Sequence, residues 1–596
     1  MNDLAPVPIG DYGLIGDTRT AALVAPSGSI DWLCLPRFDA PPVFGRLVGG
    51  DDAGHFALGP AEPARAVARA YRDATATLET TWSLDGGRLT LTDAMVAEVT
   101  GHLLPGTVLV RRLRAEGRPI RAVLHLAPRF GYGKAPAGRV RRQAGSLVAE
   151  RHGLVLVLTT DADVDPALDT DVVLTVEPTR PVTVVLAATR HGPGVLVPPT
   201  VAAAAVERDE RGWAEWAAAL ELPSFHRAAV VRSLLTLQLL TYSPSGAPVA
   251  APTTSLPEEL GGTRNWDYRY AWPRDASLGI AAFLAVGKVR EARSFLAWLL
   301  HAGRLARPRL PALFTLDGRP GPREVTLQAW PGYAGSRPVR VGNGASDQHQ
   351  LDGYGWVLDA AWLLTRSGQR LDGETWRMMR GFADHVARCW PLPDAGIWER
   401  RDAPRHHVHS KLMAWLALDR AARIAEARGS KAARRAAAWQ AARDEIGADL
   451  RAHGFDEEQG AYTAAYGSRD LDAAVLLLPL VGVEPPGSPR LAGTVDAIRR
   501  RLGAGGPLLY RYLDDDGLPG GEGAFLPCSF WLVQALALLG RRDEACQLFT
   551  DLVALGGPLG LYAEEVDPAT GRHLGNFPQA LTHAALLQAA LALDEP

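Results

Sequence analysis

Three segments of this chain concentrate residues that could do chemistry. Gly262–Ala276 (GTRNWDYRYAWPRDA) packs four aromatics and three arginines around two aspartates. That is too polar for a core and too aromatic for a solvated loop. Aromatic faces with Arg and Asp suit a ring that offers C–H faces and hydroxyls which both donate and accept hydrogen bonds. A plainer reading makes Arg274-Asp275 an ion pair capping a helix at Leu278. In Asp394–Lys411 (DAGIWERRDAPRHHVHSK), Glu399 follows Trp398 on a loop between two predicted helices. A carboxyl beside an indole is partly desolvated, and desolvation raises its pKa, as a general acid requires. The plainer reading is a surface glutamate paired with Arg400 or Arg401. His406, His407 and His409 lack the matched partners of a metal site and read as hydrogen-bonding loop residues.

In Leu559–Gln579, Glu564 and Glu565 are adjacent in a strand-like stretch. Their side chains are expected on opposite sides, one in a pocket and one with solvent or a salt bridge. Glu399 and Glu564 sit on loops before different helix pairs. If those loops converge, one carboxylic acid protonates a leaving oxygen while the other carboxylate activates water on the opposite face, as inverting glycoside hydrolysis needs.

The elements that must position these loops divide the chain in two. From about Phe56 to Ala187 short β-type runs alternate with turn residues. Hairpins are predicted at Asp85-Gly86-Gly87, at Glu116-Gly117 and at His152-Gly153, and the regular spacing predicts an antiparallel sandwich. A helix is predicted over 206–220, after which the apolar period changes to 3.6. About a dozen helices follow, among them 228–242, 278–286, 470–480 and 579–593. No fixed repeat of 20–50 residues is visible, which disfavours an open solenoid and points to a closed toroid of helical hairpins with its pocket at one end. The expected domains are a β-sandwich over 1–203, a helical linker over 204–224 and an (α/α)6 barrel over 225–596.

Composition excludes several classes. The 596 residues, 47% hydrophobic and 22% charged, fit a soluble globular enzyme of two domains. A net charge of -3 gives no reason to expect nucleic acid or an anionic membrane as partner. No stretch is long and apolar enough to span a bilayer. Cys34, Cys389, Cys528 and Cys546 are not spaced as a zinc or redox set, and Met1–Gly10 has no secretory pattern. The expected location is therefore cytoplasmic, and a homo-oligomer stays open. Sixteen Trp against fourteen Phe is a balance that suits sugar stacking as well as core filling.

GGTRNWDYRYAWPRDA, GIWERRDAPRH and YAEEVDPATGRHLGNFPQALTH resemble glycoside hydrolase family 15, the glucoamylases, glucodextranases and bacterial trehalases. IGDYGLIGDTRTAALVAPSGSIDWLCLPRFDAPPVFG resembles the N-terminal domain of the trehalase-like members, and YSPSGAPVAAPTTSLPEELGG and DGLPGGEGAFLPCSFWLV extend the likeness over nearly the whole chain. The resemblance implies a β-sandwich plus (α/α)6 barrel and exo-acting, inverting hydrolysis of terminal α-glucosidic bonds. It implies Glu399 as general acid and Glu564 as general base. Arg274 and Asp275 would bind hydroxyls of the non-reducing glucose, Trp272 and Trp398 would line the same region, and Tyr268 would sit near the attacking water. It implies no metal and no organic cofactor.

Ala271, Pro273 and Trp356 depart from the family pattern and bear on substrate preference. His409, Lys411, Arg511 and Glu522 sit in family-like motifs without an assigned role. Trehalose is the leading substrate; malto- and isomalto-oligosaccharides or dextran ends are the alternative. A disaccharide phosphorylase is disfavoured because a second carboxylate at Glu564 would repel phosphate. A non-catalytic sugar-binding protein is disfavoured because both glutamate motifs are present.

Overall fold

The computed structural model describes residues 6–594, except 100, 101, 134, 144, 307, 308 and 486. The N-terminal part is a sandwich of two antiparallel sheets. One has eight strands, running in space from Arg139–Gln143 through Ser146–Arg151, Leu154–Thr160, Val182–Arg190, His102–Glu116, Gly87–Val99 and Leu78–Leu84 to Ala66–Tyr71. The other has seven, ordered Gly13–Gly16, Ala21–Val24, Ser29–Cys34, His55–Pro60, Ile120–Ala127 and Asp171–Val176, with Pro42–Phe44 paired to Ser29–Cys34. A one-turn helix α1 (Arg46–Gly49) follows the last of these.

The predicted hairpins at Asp85-Gly86 and His152-Gly153 form, with Leu84 opposite Gly87 and Arg151 opposite Leu154. The one predicted at Glu116-Gly117 does not. There the chain leaves the eight-stranded sheet and enters the seven-stranded one, so His102–Glu116 and Ile120–Ala127 lie in different sheets. Turn residues dictate that the chain reverses, but not which sheet receives it. Leu154–Thr160 and Val182–Arg190 are buried along nearly their whole length instead of alternating. The cause is helix α2 (Pro199–Ala218), whose Ala202, Ala205 and Val206 cover the outer face of the sheet against Val157, Val185 and Ala187. A sheet covered on both faces reads as continuous apolar runs. The helix thus starts before the expected 206 and is part of the sandwich core.

Between the sheets, Arg111 and Asp93 form a fully buried pair. The Arg111 guanidinium donates to Asp93 at 2.7 Å and, across the interlayer space, to the carbonyls of Phe56 at 2.7 Å and Gly28 at 2.5 Å. Removing one partner strands the other charge. Arg111→Met should therefore cost about 3–5 kcal/mol, read as a fall in the denaturant midpoint. Arg111→Met with Asp93→Asn should cost less than the sum of the single changes.

The remaining helices are α3 (Arg227–Leu239), α4 (Pro273–Ala285), α5 (Val289–Ala306), α6 (Asp352–Arg366), α7 (Gly373–Cys389), α8 (Val408–Ala427), α9 (Ser430–His453), α10 (Leu478–Val481), α11 (Pro489–Leu502), α12 (Leu526–Leu538), α13 (Arg542–Ala554) and α14 (Ala580–Asp594). They close into a double ring. The inner ring runs α4, α6, α8, α10, α12, α14 and returns to α4, with α5, α7, α9, α11, α13 and α3 outside. Inner helices such as α12 and α14 are buried nearly all round, whereas α7 is amphipathic, as an outer position requires. The helix predicted over 470–480 is instead a 3-10 turn, Ala473–Leu477, followed by the single turn α10. Asp472 caps the 3-10 turn by accepting from the Ala474 amide, and Pro479 stands in the first turn of α10. None of the described helices is long and apolar enough to cross a membrane.

The sandwich is built into the loops of the barrel. Trp32 donates to the Pro252 carbonyl at 2.7 Å, and Trp330 to the Tyr132 carbonyl at 2.9 Å. Arg269, wholly buried, is held by Asp267 and donates to the Ala40 carbonyl. The segment that carries Tyr268 is thereby fixed from the sandwich side.

Candidate active site

At one end of the barrel, loops from both halves of the ring line a cavity of about 770 Å³ including its open mouth. All seven residues singled out from the sequence line it: Tyr268, Trp272, Arg274, Asp275, Trp398, Glu399 and Glu564.

Pro273 starts α4, five positions before the predicted Leu278, because proline's fixed φ suits the first helical turn. Trp272 sits at the cap, and Arg274 and Asp275 fall in that first turn. Arg274 does not pair with Asp275 to cap the helix. It donates to the Ile397 carbonyl at 3.1 Å and to Asp352 at 3.3 Å, and lies 3.8 Å from Glu399. Asp275 is buried, and burial pushes its carboxyl up to about 6.

Glu399 takes a left-handed backbone conformation, φ 58°, which costs a residue with a Cβ about 1–2 kcal/mol. Gln348 braces it by donating to the Glu399 and Arg400 carbonyls, both at 3.0 Å. Strain of this kind persists only where surroundings over-determine it. The indole that desolvates Glu399 is that of Trp272, whose Nε1–H donates to the carboxyl at 2.5 Å. Trp398 turns away and donates to Asp472 at 2.9 Å. Arg400 and Arg401 do not neutralise Glu399: Arg400 binds Asp402 and Asp514, and Arg401 binds Glu324. Burial pushes the Glu399 carboxyl up, with Arg274 and the Trp272 hydrogen bond pulling the other way.

Glu564 accepts from the Tyr268 hydroxyl at 2.6 Å. Gly575 (φ 76°) lies against it, where an added Cβ would come within 2.9 Å of the carboxyl oxygen and 3.0 Å of its Cβ. Glu565 does point the other way, but neither to solvent nor to a salt bridge. It is fully buried and accepts from the Gly523 amide at 2.7 Å.

The sequence reading missed what stands behind Glu564. Arg511 donates to Glu522 through two nitrogens at 2.6 Å and to Glu258 at 3.2 Å. Glu258 also accepts from Trp266 at 2.9 Å and lines the cavity. Arg264 makes a bidentate pair with Asp516 at 2.7 and 2.8 Å and bonds Glu522. Buried carboxyls outnumber these two guanidiniums. Burial first, and then the Glu258 charge, raise the pKa of Glu564. Glu258 lies in a segment recognised only by its likeness to relatives, and nothing in its local spacing links it to Arg511.

Of the three departures noted in the sequence, none lines the cavity. Ala271 is buried in a bridge with Phe314, Pro273 starts α4, and Trp356 packs inside α6. His409 is buried beside Arg274 and Asp352, and Lys411 donates to the Trp390 and Leu392 carbonyls. Among the described residues no cluster of His, Cys, Asp or Glu could hold a metal.

The family described as "Glycosyl hydrolases family 15" matches residues 224–591, and that described as "Trehalase-like, N-terminal" matches residues 3–185. The protein named Trehalase from Mycobacterium tuberculosis is 38% identical over an alignment covering 98% of this chain and 89% of that one. Trehalase from Thermoplasma volcanium is 33% identical, covering 98% and 93%. A crystal structure of bacterial glucoamylase complexed with acarbose shares the fold, with a TM-score of 0.69 over 99% of this chain and 95% of that one, at 14% identity.

Proposed function

Since the chain belongs to glycosyl hydrolase family 15 and is a glycoside hydrolase, we propose that it cleaves α,α-trehalose to two glucose molecules with inversion, from the cytoplasm. The observation that carries this reading is that Glu399 and Glu564 line one cavity, each gripped by a single aromatic donor from the same segment, Trp272 and Tyr268. Glu399, its acid form favoured by burial, protonates the glycosidic oxygen as the C–O bond breaks. Glu564 takes a proton from water held beside Tyr268, and the water oxygen bonds the anomeric carbon from the opposite face. Arg274 and Asp275 bind hydroxyls of the glucose whose anomeric carbon reacts.

Trehalose is favoured by the names of full-length relatives and by the trehalase-like N-terminal match. The cytoplasmic placement is supported by four unpaired cysteines.

The test is glucose release from trehalose, maltose, isomaltose and maltotriose, with NMR of the anomer formed first. Trehalose preferred, with one β-glucose formed per cleavage, is expected. Preference for maltotriose would move the substrate to glucans. α-Glucose alone would overturn inversion, and glucose 1-phosphate appearing only with phosphate would overturn hydrolysis.

A pH prediction follows from the buried carboxyl group. The base works ionised, and Glu258 raises its pKa. The acidic limb of kcat/KM should therefore lie above the ordinary carboxylate range. Glu258→Gln removes the neighbouring charge and leaves Arg511 to stabilise ionised Glu564. The limb should then move to lower pH by about one unit, with the alkaline limb unmoved.

A further inference from the structure

On the far side of α4 from the active site lies a groove of about 1350 Å³ including its mouth, walled by α2, α5 and the end of α3. Two half-buried indoles, Trp213 and Trp216, meet edge to face in it, with ring centroids 6.1 Å apart. Their N–H groups are already bound, Trp213 to Asp209 at 3.0 Å and Trp216 to Glu291 at 2.8 Å. Each ring is therefore held in orientation by a carboxylate that also lines the groove. Trp216 is further packed edge-on against Phe283 and carries Lys288 over its face at 4.7 Å.

Three features point to a ligand. The Gln238 amide oxygen, in the groove wall, is buried without a hydrogen-bond partner. The helical position beside Trp213 is Gly212, and a Cβ there would meet nothing within 4 Å. A glycine inside a helix weakens it, and here the missing side chain leaves the groove open. The lining charges balance, with Arg208 and Arg290 against Asp209 and Glu291. Oriented indole walls accept C–H faces. Carboxylates, an amide and the Ser294 hydroxyl serve hydroxyl groups, and zero net charge selects no ion.

We infer that this groove is a second binding site for a neutral mono- or disaccharide. The inference rests on the groove alone, not on the assignment of the active site. The test is calorimetric titration of the full-length wild-type enzyme with glucose, and of Glu399→Gln with trehalose. A second, weaker saturable phase is expected in addition to that of the active site. Trp213→Ala should weaken that phase at least about tenfold. Gly212→Gln raises helix propensity while filling the groove, so it should abolish the phase without loss of thermal stability. In otherwise wild-type protein both changes should leave kcat/KM for trehalose within about twofold. A single phase with both sugars would overturn the proposal, as would a weak phase that both variants leave unchanged. Tighter binding of glucose 6-phosphate than of glucose in that phase would overturn the neutral class. Loss of the tight phase in Arg274→Ala with the weak one kept separates this site from the catalytic one.

Discussion

Glu399→Gln is expected to lower kcat for trehalose about 10²–10⁴-fold and to spare α-glucosyl fluoride. The amide keeps the shape of the side chain, and its oxygen still accepts from Trp272, so the Trp272 contact at 2.5 Å and the strained backbone at Glu399 should survive. What disappears is the proton. A sugar leaving group without that proton departs as an alkoxide, whereas fluoride departs with little assistance. KM should change little, since Arg274 and Asp275 remain. The alkaline limb of the pH profile, which reports loss of the acid's proton, should vanish in the variant. Equal losses on both substrates would place the acid elsewhere.

Glu564→Gln should instead lower hydrolysis of trehalose and of the fluoride alike, again by about 10²–10⁴-fold, because both need the activated water. Sugar binding should persist by calorimetry. The buried surroundings favour the neutral amide, since this carboxyl is already pushed up by burial and by Glu258. The variant should therefore be at least as stable as the parent in denaturant. Added azide should bond the anomeric carbon of the fluoride from the water's face as fluoride leaves, giving β-glucosyl azide in a Glu564→Ala variant. Undiminished hydrolysis would move the base, whereas α-glucosyl azide would contradict attack from the opposite face. Glu565→Gln is the control. Glu565 faces the Gly523 amide on the far side of its strand, so its loss should act on folding more than on chemistry.

The architecture was legible because it is written in periodicity. A change from alternating runs to a 3.6 period near the end of the sandwich gave the two domain types, and most helices of the barrel lie within a few residues of their predicted ends. Two exceptions have local causes. Pro273 starts α4 early, and Asp472 with Pro479 reduces one inner helix to little more than a turn. The turn at Glu116-Gly117 was visible, but its destination depended on which strand edges were vacant, and that is a property of the assembled sheets.

The same boundary runs through the site. The sequence by itself marked one segment as too polar for a core and too aromatic for solvent, and the seven residues named from it, from the two glutamate loops and from the family likeness line one cavity. Adjacent positions in an extended stretch must diverge, so it also determined that Glu564 and Glu565 face apart. Only the tertiary structure decided who meets whom. Trp272 rather than Trp398 covers Glu399, Arg274 rather than Arg400 or Arg401 lies nearest its charge, and Glu258 joins Arg511 behind the base. These partners come from distant segments brought together by closure of the ring. Burial and charge act through space, so the protonation of a carboxyl is set by neighbours that no local pattern names.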